Sequence, residues 1–144
     1  MITLLLVSMA ATQISYEVYE NESRLAEMMK LIEADLSEPY SIFTYHYFLH
    51  NYPDLCYLVR RQLFIRFDWF SQAINEKNEC VGVVICKIDP HKHFLRGYLG
   101  MLAVNPDYRR FGIATELVSR SIQAMKKHGV VEVFPLIFYL SVDL

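Results

Sequence analysis

Positive charge is missing from the places where several function classes would need it. No Lys or Arg precedes the apolar stretch from Met1 to Ala11, so a secretory signal is not expected. That stretch is too short to cross a membrane. Residues 1–13 read as a disordered terminus or a piece of edge strand. The formal charge of the whole chain is -2, which excludes the global field of a polyanion-binding protein. Its ten tyrosines have no basic stripe running between them, so no nucleic acid is expected as a direct partner. Cysteine is scarce and odd in number. Cys56, Cys80 and Cys86 cannot all pair within one chain, which indicates free thiols in a reducing compartment, the cytoplasm. Metal-ligand spacings are missing too. Cys86, Asp89, His91 and His93 match no standard site. His46 and His50 share a helix face but lack the adjacent Glu of a metalloprotease helix. No metal is expected, and no internal repeat or low-complexity block is visible.

What is present suits one packed domain. Hydrophobic residues make up 53% of 144, enough to build a core. Ile14 to Tyr19 alternates apolar and polar, as a half-buried strand does. Glu22 to Leu36 places Leu25, Met28, Met29, Ile32 and Leu36 on one helix face. Ser41 can cap a second helix that Pro53 ends. Leu55–Val59, Val81–Cys86 and Gly97–Val104 are strand candidates. Asn105-Pro-Asp-Tyr108 is a turn, with Asp107 suited to a local hydrogen bond. Ile113 to His128 is the clearest helix, with Ile113, Leu117, Val118, Ile122 and Met125 on its apolar face and Gly129 as its stop. Val130 to Leu140 is strand-like and interrupted by Pro135. The order predicts an α/β or α+β fold, a mixed central sheet flanked by helices.

The segment from Met101 to Thr115 carries the chemistry. A strand runs into a turn, the turn holds Arg109 and Arg110, and a helix opens at Gly112. The first turn of a helix has unpaired N–H groups and the positive end of its dipole. Gly112 lets backbone approach a phosphate, and the arginines add charged donors. On these residues alone an ordinary turn with a solvated Arg pair fits equally well.

Arg109-x-x-Gly112-x-Ala114, preceded by Leu102-Ala103-Val104, resembles the cofactor signature of the GNAT family of N-acetyltransferases. Asp35 to Tyr45, Cys80-Val-Gly, Cys86-Lys-Ile-Asp, Arg96-Gly-Tyr98 and Tyr108-Arg-Arg110 are similar to the NatC group of N-terminal acetyltransferases within it. The resemblance covers roughly 14–59 and 75–133. It implies a GNAT fold over 14–144 and acetyl-CoA as co-substrate. Leu102, Ala103 and Val104 would meet its pantetheine arm. Arg109, Arg110, Gly112, Ile113, Ala114 and Thr115 would hold its pyrophosphate. Glu38, Pro39 and Tyr40, which composition alone reads as an interhelical turn, would line the slot for a protein N-terminus. Tyr98 stands where related enzymes keep a catalytic Tyr; a strand aromatic packing on a neighbour is its plainer reading. The partners implied are nascent protein N-termini, NatC auxiliary subunits and the ribosome, and the substrate begins with Met followed by a bulky apolar residue.

Two departures from that resemblance stand out. Residues 60–74, with Phe64, Phe67, Trp69 and Phe70, read as an insertion into a short hairpin, an aromatic patch seeking a partner. After Val133 the tail 134–144 diverges. The family's catalytic carboxylate, its C-terminal helix and its last strands find no match there. The expectation is therefore double: an N-terminal acetyltransferase by family, or a truncated, catalytically impaired form that binds CoA or docks in a complex.

Overall fold

A computed structural model describes residues 10–34, 36, 38–65 and 79–135. Along the chain lie β1 (Ala10–Val18), α1 (Leu25–Glu33), α2 (Ile42–Asn51), β2 (Tyr57–Ile65), β3 (Glu79–His91), β4 (Phe94–Val104), α3 (Ile113–Lys127) and β5 (Val130–Pro135). The five strands form one sheet in the order β1-β2-β3-β4-β5. β1 to β4 are antiparallel neighbours, and β5 runs parallel to β4. The sheet is therefore mixed, and α3 is the crossover that a parallel pair requires.

Local chemistry explains the helix boundaries. The Asn21 side chain accepts the Ser23 N–H at 3.0 Å and opens a short 3-10 turn before α1. The Ser41 hydroxyl accepts the Phe43 N–H at 3.3 Å and caps α2. Pro53 starts a 3-10 turn just beyond that helix. Gly129, at φ +85°, ends α3.

The helices cover opposite faces of the sheet. On one face Met28 and Ile32 of α1 and Tyr45 and Leu49 of α2 pack on Val83 and Ile85 of β3. On the other, Ile113, Leu117 and Met125 of α3 pack on Val84, Leu99 and Leu102. The buried stripe on α3 differs from the expected one. Ser121 is fully buried, whereas Val118 and Ile122 are half-buried. The Ser121 hydroxyl donates to the Leu55 carbonyl at 3.1 Å, which satisfies the polar atom inside the core.

The stretch read as an insertion begins as regular strand. Arg60 to Ile65 continue β2 and pair with Ser15 to Ala10 of β1. Arg60 is 1% exposed, with Nε 2.9 Å from Glu17 and Nη2 3.4 Å from Glu27. That ion cluster ties β1, β2 and α1 together. Phe67, Trp69 and Phe70 lie outside the described residues, as do 1–9 and 136–144. Among the described residues no helix is long and apolar enough to cross a membrane.

Candidate functional site

Strand β4 changes partners in its middle. Leu95 to Leu99 pair with Val130 to Pro135 of β5. Among the described residues, no strand pairs with β4 on that side beyond Leu99. On the other side Leu99 faces Cys86 and Met101 faces Ile85, so Gly100 is an extra, bulged residue. The reason lies in α2. A Cβ on Gly100 would stand 2.8 Å from the Phe48 ring, so only glycine lets that ring rest on the backbone. Beyond the bulge Met101 and Ala103 face α1 and α2, and Leu102 faces α3. Leu102, Ala103 and Val104 pair with Val84, Val83 and Gly82 on the β3 side. Their opposite backbone edge has the geometry to add an extended amide ligand as if it were a strand.

The chain then turns. The Asn105 side chain accepts the Asp107 N–H at 3.0 Å, so Asn105, and not Asp107, supplies the local bond. Arg109 donates from Nε to the Val104 carbonyl at 3.1 Å and braces the end of β4. Arg110 (φ +69°) and Gly112 (φ +76°) both take the left-handed conformation. Such successive turns aim N–H groups into a concave anion nest. No side chain caps the first N–H groups of α3, which starts at Ile113, and a Cβ on Gly112 would meet nothing within 4 Å. Ala114 and exposed Thr115 complete that first turn. Two grooves of about 590 Å³ and 460 Å³ flank this turn and share Glu79 and Asn105. Neither is lined by Tyr98.

Tyr98 is half-buried on β4, two residues before the bulge. The Lys87 ammonium lies 5.2 Å from its ring centroid. The Glu38-Pro-Tyr40 loop is exposed between α1 and α2. Tyr40 stands edge-on to Tyr45 at 6.1 Å, and the Tyr45 hydroxyl donates to Glu33 at 3.2 Å. Burial, then the Glu33 charge, pushes the Tyr45 pKa upward, so its hydroxyl stays protonated and holds α1 to α2. The fold thus assembles Arg109 to Thr115 into one turn and helix start. Tyr98 stands on the α2 side of the sheet, where Lys87 lies between it and Tyr47, and the Glu38–Tyr40 loop joins α1 to α2.

The other clusters have structural roles. Cys86 is buried, and Asp89 pairs with Lys87. His91 packs on Phe94 at 5.4 Å. His46 and His50 stack at 4.9 Å and approach Glu22 at 3.8 and 3.1 Å. Sequence reasoning missed Gly100 and Lys87. A lone glycine inside a strand was a bulge signal. A lone lysine in the apolar run from Val81 to Ile88 was a second one.

Residues 25–137 match the acetyltransferase (GNAT) family. N-alpha-acetyltransferase 30 of Xenopus laevis is 50% identical over 113 residues, which is 78% of this chain and 36% of the relative. N-alpha-acetyltransferase MAK3 of Arabidopsis thaliana is 42% identical over 121 residues, 84% of this chain and 56% of that protein. The chain therefore spans about a third of the Xenopus relative and just over half of the Arabidopsis one. The solved NatC complex bound to Gag peptide and CoA contains a chain 39% identical, with a TM-score of 0.69, covering 85% of this chain and 73% of that one. With most of its length matched in sequence and in structure, the chain belongs to the GNAT acetyltransferase family.

Proposed function

We propose that this chain transfers the acetyl group of acetyl-CoA to the N-terminal α-amine of proteins, as a NatC-type enzyme acting on Met followed by a bulky apolar residue. One observation carries the reading. A bulged β4 leads directly into a left-handed Arg110–Gly112 turn that presents the uncapped N-terminus of α3. The similar NatC complex, which holds CoA and a peptide, supports it. The residues fit the co-substrate: a backbone edge at Leu102 to Val104 for an amide-bearing arm, and a cationic, donor-rich turn at Arg109 to Thr115 for phosphates. We place the catalytic domain across 14–144. Its partners in the cytoplasm are nascent N-termini, auxiliary NatC subunits and the ribosome.

In this reading the α-ammonium, with a pKa near about 8, loses its proton before attack. The Tyr98 hydroxyl receives or relays that proton. The neutral amine nitrogen bonds to the acetyl carbon, the carbon–sulfur bond breaks, the nitrogen sheds its surplus proton to give the amide, and the leaving thiolate takes up that proton. A backbone N–H of the Leu102 to Val104 segment faces the oxyanion. Glu38, Pro39 and Tyr40 form the wall that selects the N-terminal residue. The test is acetylation of a Met-Leu peptide by the purified protein, alone and with auxiliary subunits. Tyr98→Phe should lower kcat by about 10²-fold. No acetylated peptide under either condition would reject the proposal.

A further inference from the structure

Tyr98 does not stand alone on its face of the sheet. Lys87 lies directly opposite it in the β3–β4 register. The Lys87 ammonium is 5.2 Å from the Tyr98 ring centroid and 5.6 Å from that of Tyr47 on α2. The lysine side chain is only 19% exposed, and Asp89 on the same strand pairs with its ammonium. The Asp89 hydrogen bond raises the lysine pKa, with burial opposing. Tyr47 is itself buttressed edge-on by Tyr52 at 6.3 Å. Two rings and a carboxylate thus converge on one ammonium that packing alone would not call for. A Met or Leu would fill the same space without the cost of withdrawing a charge from water.

We infer that Lys87 is a positioning residue for the reaction: its ammonium clamps the Tyr98 ring against β3. This inference rests on Tyr98 being the catalytic group. A cation against an aromatic face restrains the ring without touching the hydroxyl. The charged and titratable groups around the clamp are Asp89 on β3, Tyr98 and Arg96 on β4, Tyr47 on α2 and Tyr52 beyond it. Glu132 of β5 pairs with Arg96 at 2.9 Å, as Asp89 pairs with Lys87, so both cations are neutralised and the clamp acts through position.

The test compares Lys87→Met, Lys87→Arg and Tyr98→Phe with a Met-Leu peptide and acetyl-CoA. A fluorine spectrum of 3-fluorotyrosine at position 98 accompanies the kinetics. Lys87→Met should lower kcat about tenfold, within what a misplaced group costs. Peptide KM should stay within about twofold. Lys87→Arg, still a cation over a ring, should recover kcat to within about threefold. The fluorine line should move in Lys87→Met. If that variant does not fold, Asp89→Asn, which frees the ammonium and keeps the stem, must reproduce the loss. An unaltered kcat and fluorine line in a folded Lys87→Met overturn the inference, even where Tyr98→Phe is slow. A fully active Tyr98→Phe overturns the catalytic reading itself, and the clamp then stands or falls on the fluorine line.

Discussion

Single glycines decide most of the site, each by a different physical route. Gly112 has open space around it, so what forbids a side chain there is the backbone. At φ +76° an L-residue with a branched Cβ is strained by about 1–2 kcal/mol. Gly112→Val should therefore cost that much stability or shift the turn, and calorimetry should show CoA affinity falling at least about tenfold, a drop of about 1.4 kcal/mol. Unchanged affinity would remove the turn from the cofactor site. Gly100 is the opposite case, ordinary in conformation and crowded in space. Gly100→Ala brings a methyl to 2.8 Å from the Phe48 ring and should destabilise by about 1–3 kcal/mol. Adding Phe48→Leu to that variant should return part of the loss in a double-mutant cycle by urea denaturation. Strict additivity of the two changes would mean that the ring is not what keeps the position small.

Among the elements, α3 and its turn were legible in the sequence because their signals are local. Pro106, Gly112, Gly129 and a four-residue apolar period each act within a few bonds of themselves. β4 was legible only as a strand. Its bulge comes from Phe48, on another element far away in the chain, and no local pattern records that contact. The same holds for Arg60. It stands at the start of the stretch read as an insertion, and in the structure it is the buried partner of Glu17 and Glu27. Those carboxylates come from β1 and α1, and the sequence does not show that the three meet. The family resemblance and the physics point to the same turn for one reason: the turn is short and contiguous. Lys87 escaped because its partners sit on three elements. Ser121 shows what such cross-element bonds are worth. Ser121→Val deletes the donor to the buried Leu55 carbonyl and should cost about 1–3 kcal/mol by thermal or urea unfolding.

At the scale of the whole molecule the three cysteines report how tightly the two faces close. Burial pushes the Cys86 thiol up to about 12 and Cys80 up to about 11, and raises Cys56 further. An unfolded thiol titrates near about 8.5. The folded values are higher, so the thiols' contribution to stability is complete below about pH 8.5 and is lost as pH climbs towards 11 and 12. Urea midpoints should fall across that alkaline window, and Cys86→Ala should flatten the fall. In the native protein at pH 7.5, thiol reagents should modify the cysteines only at the rate of unfolding. Rapid labelling would mean that one face is open. At 15 residues α3 is a rod about 22 Å long. Its first turn begins at Gly112, and near its far end the Met125 sulfur rests on Gly97, the residue before Tyr98. A rigid rod touching both places works as a lever, so under the proposed function seating phosphates at one end and registering the tyrosine strand at the other are mechanically one event.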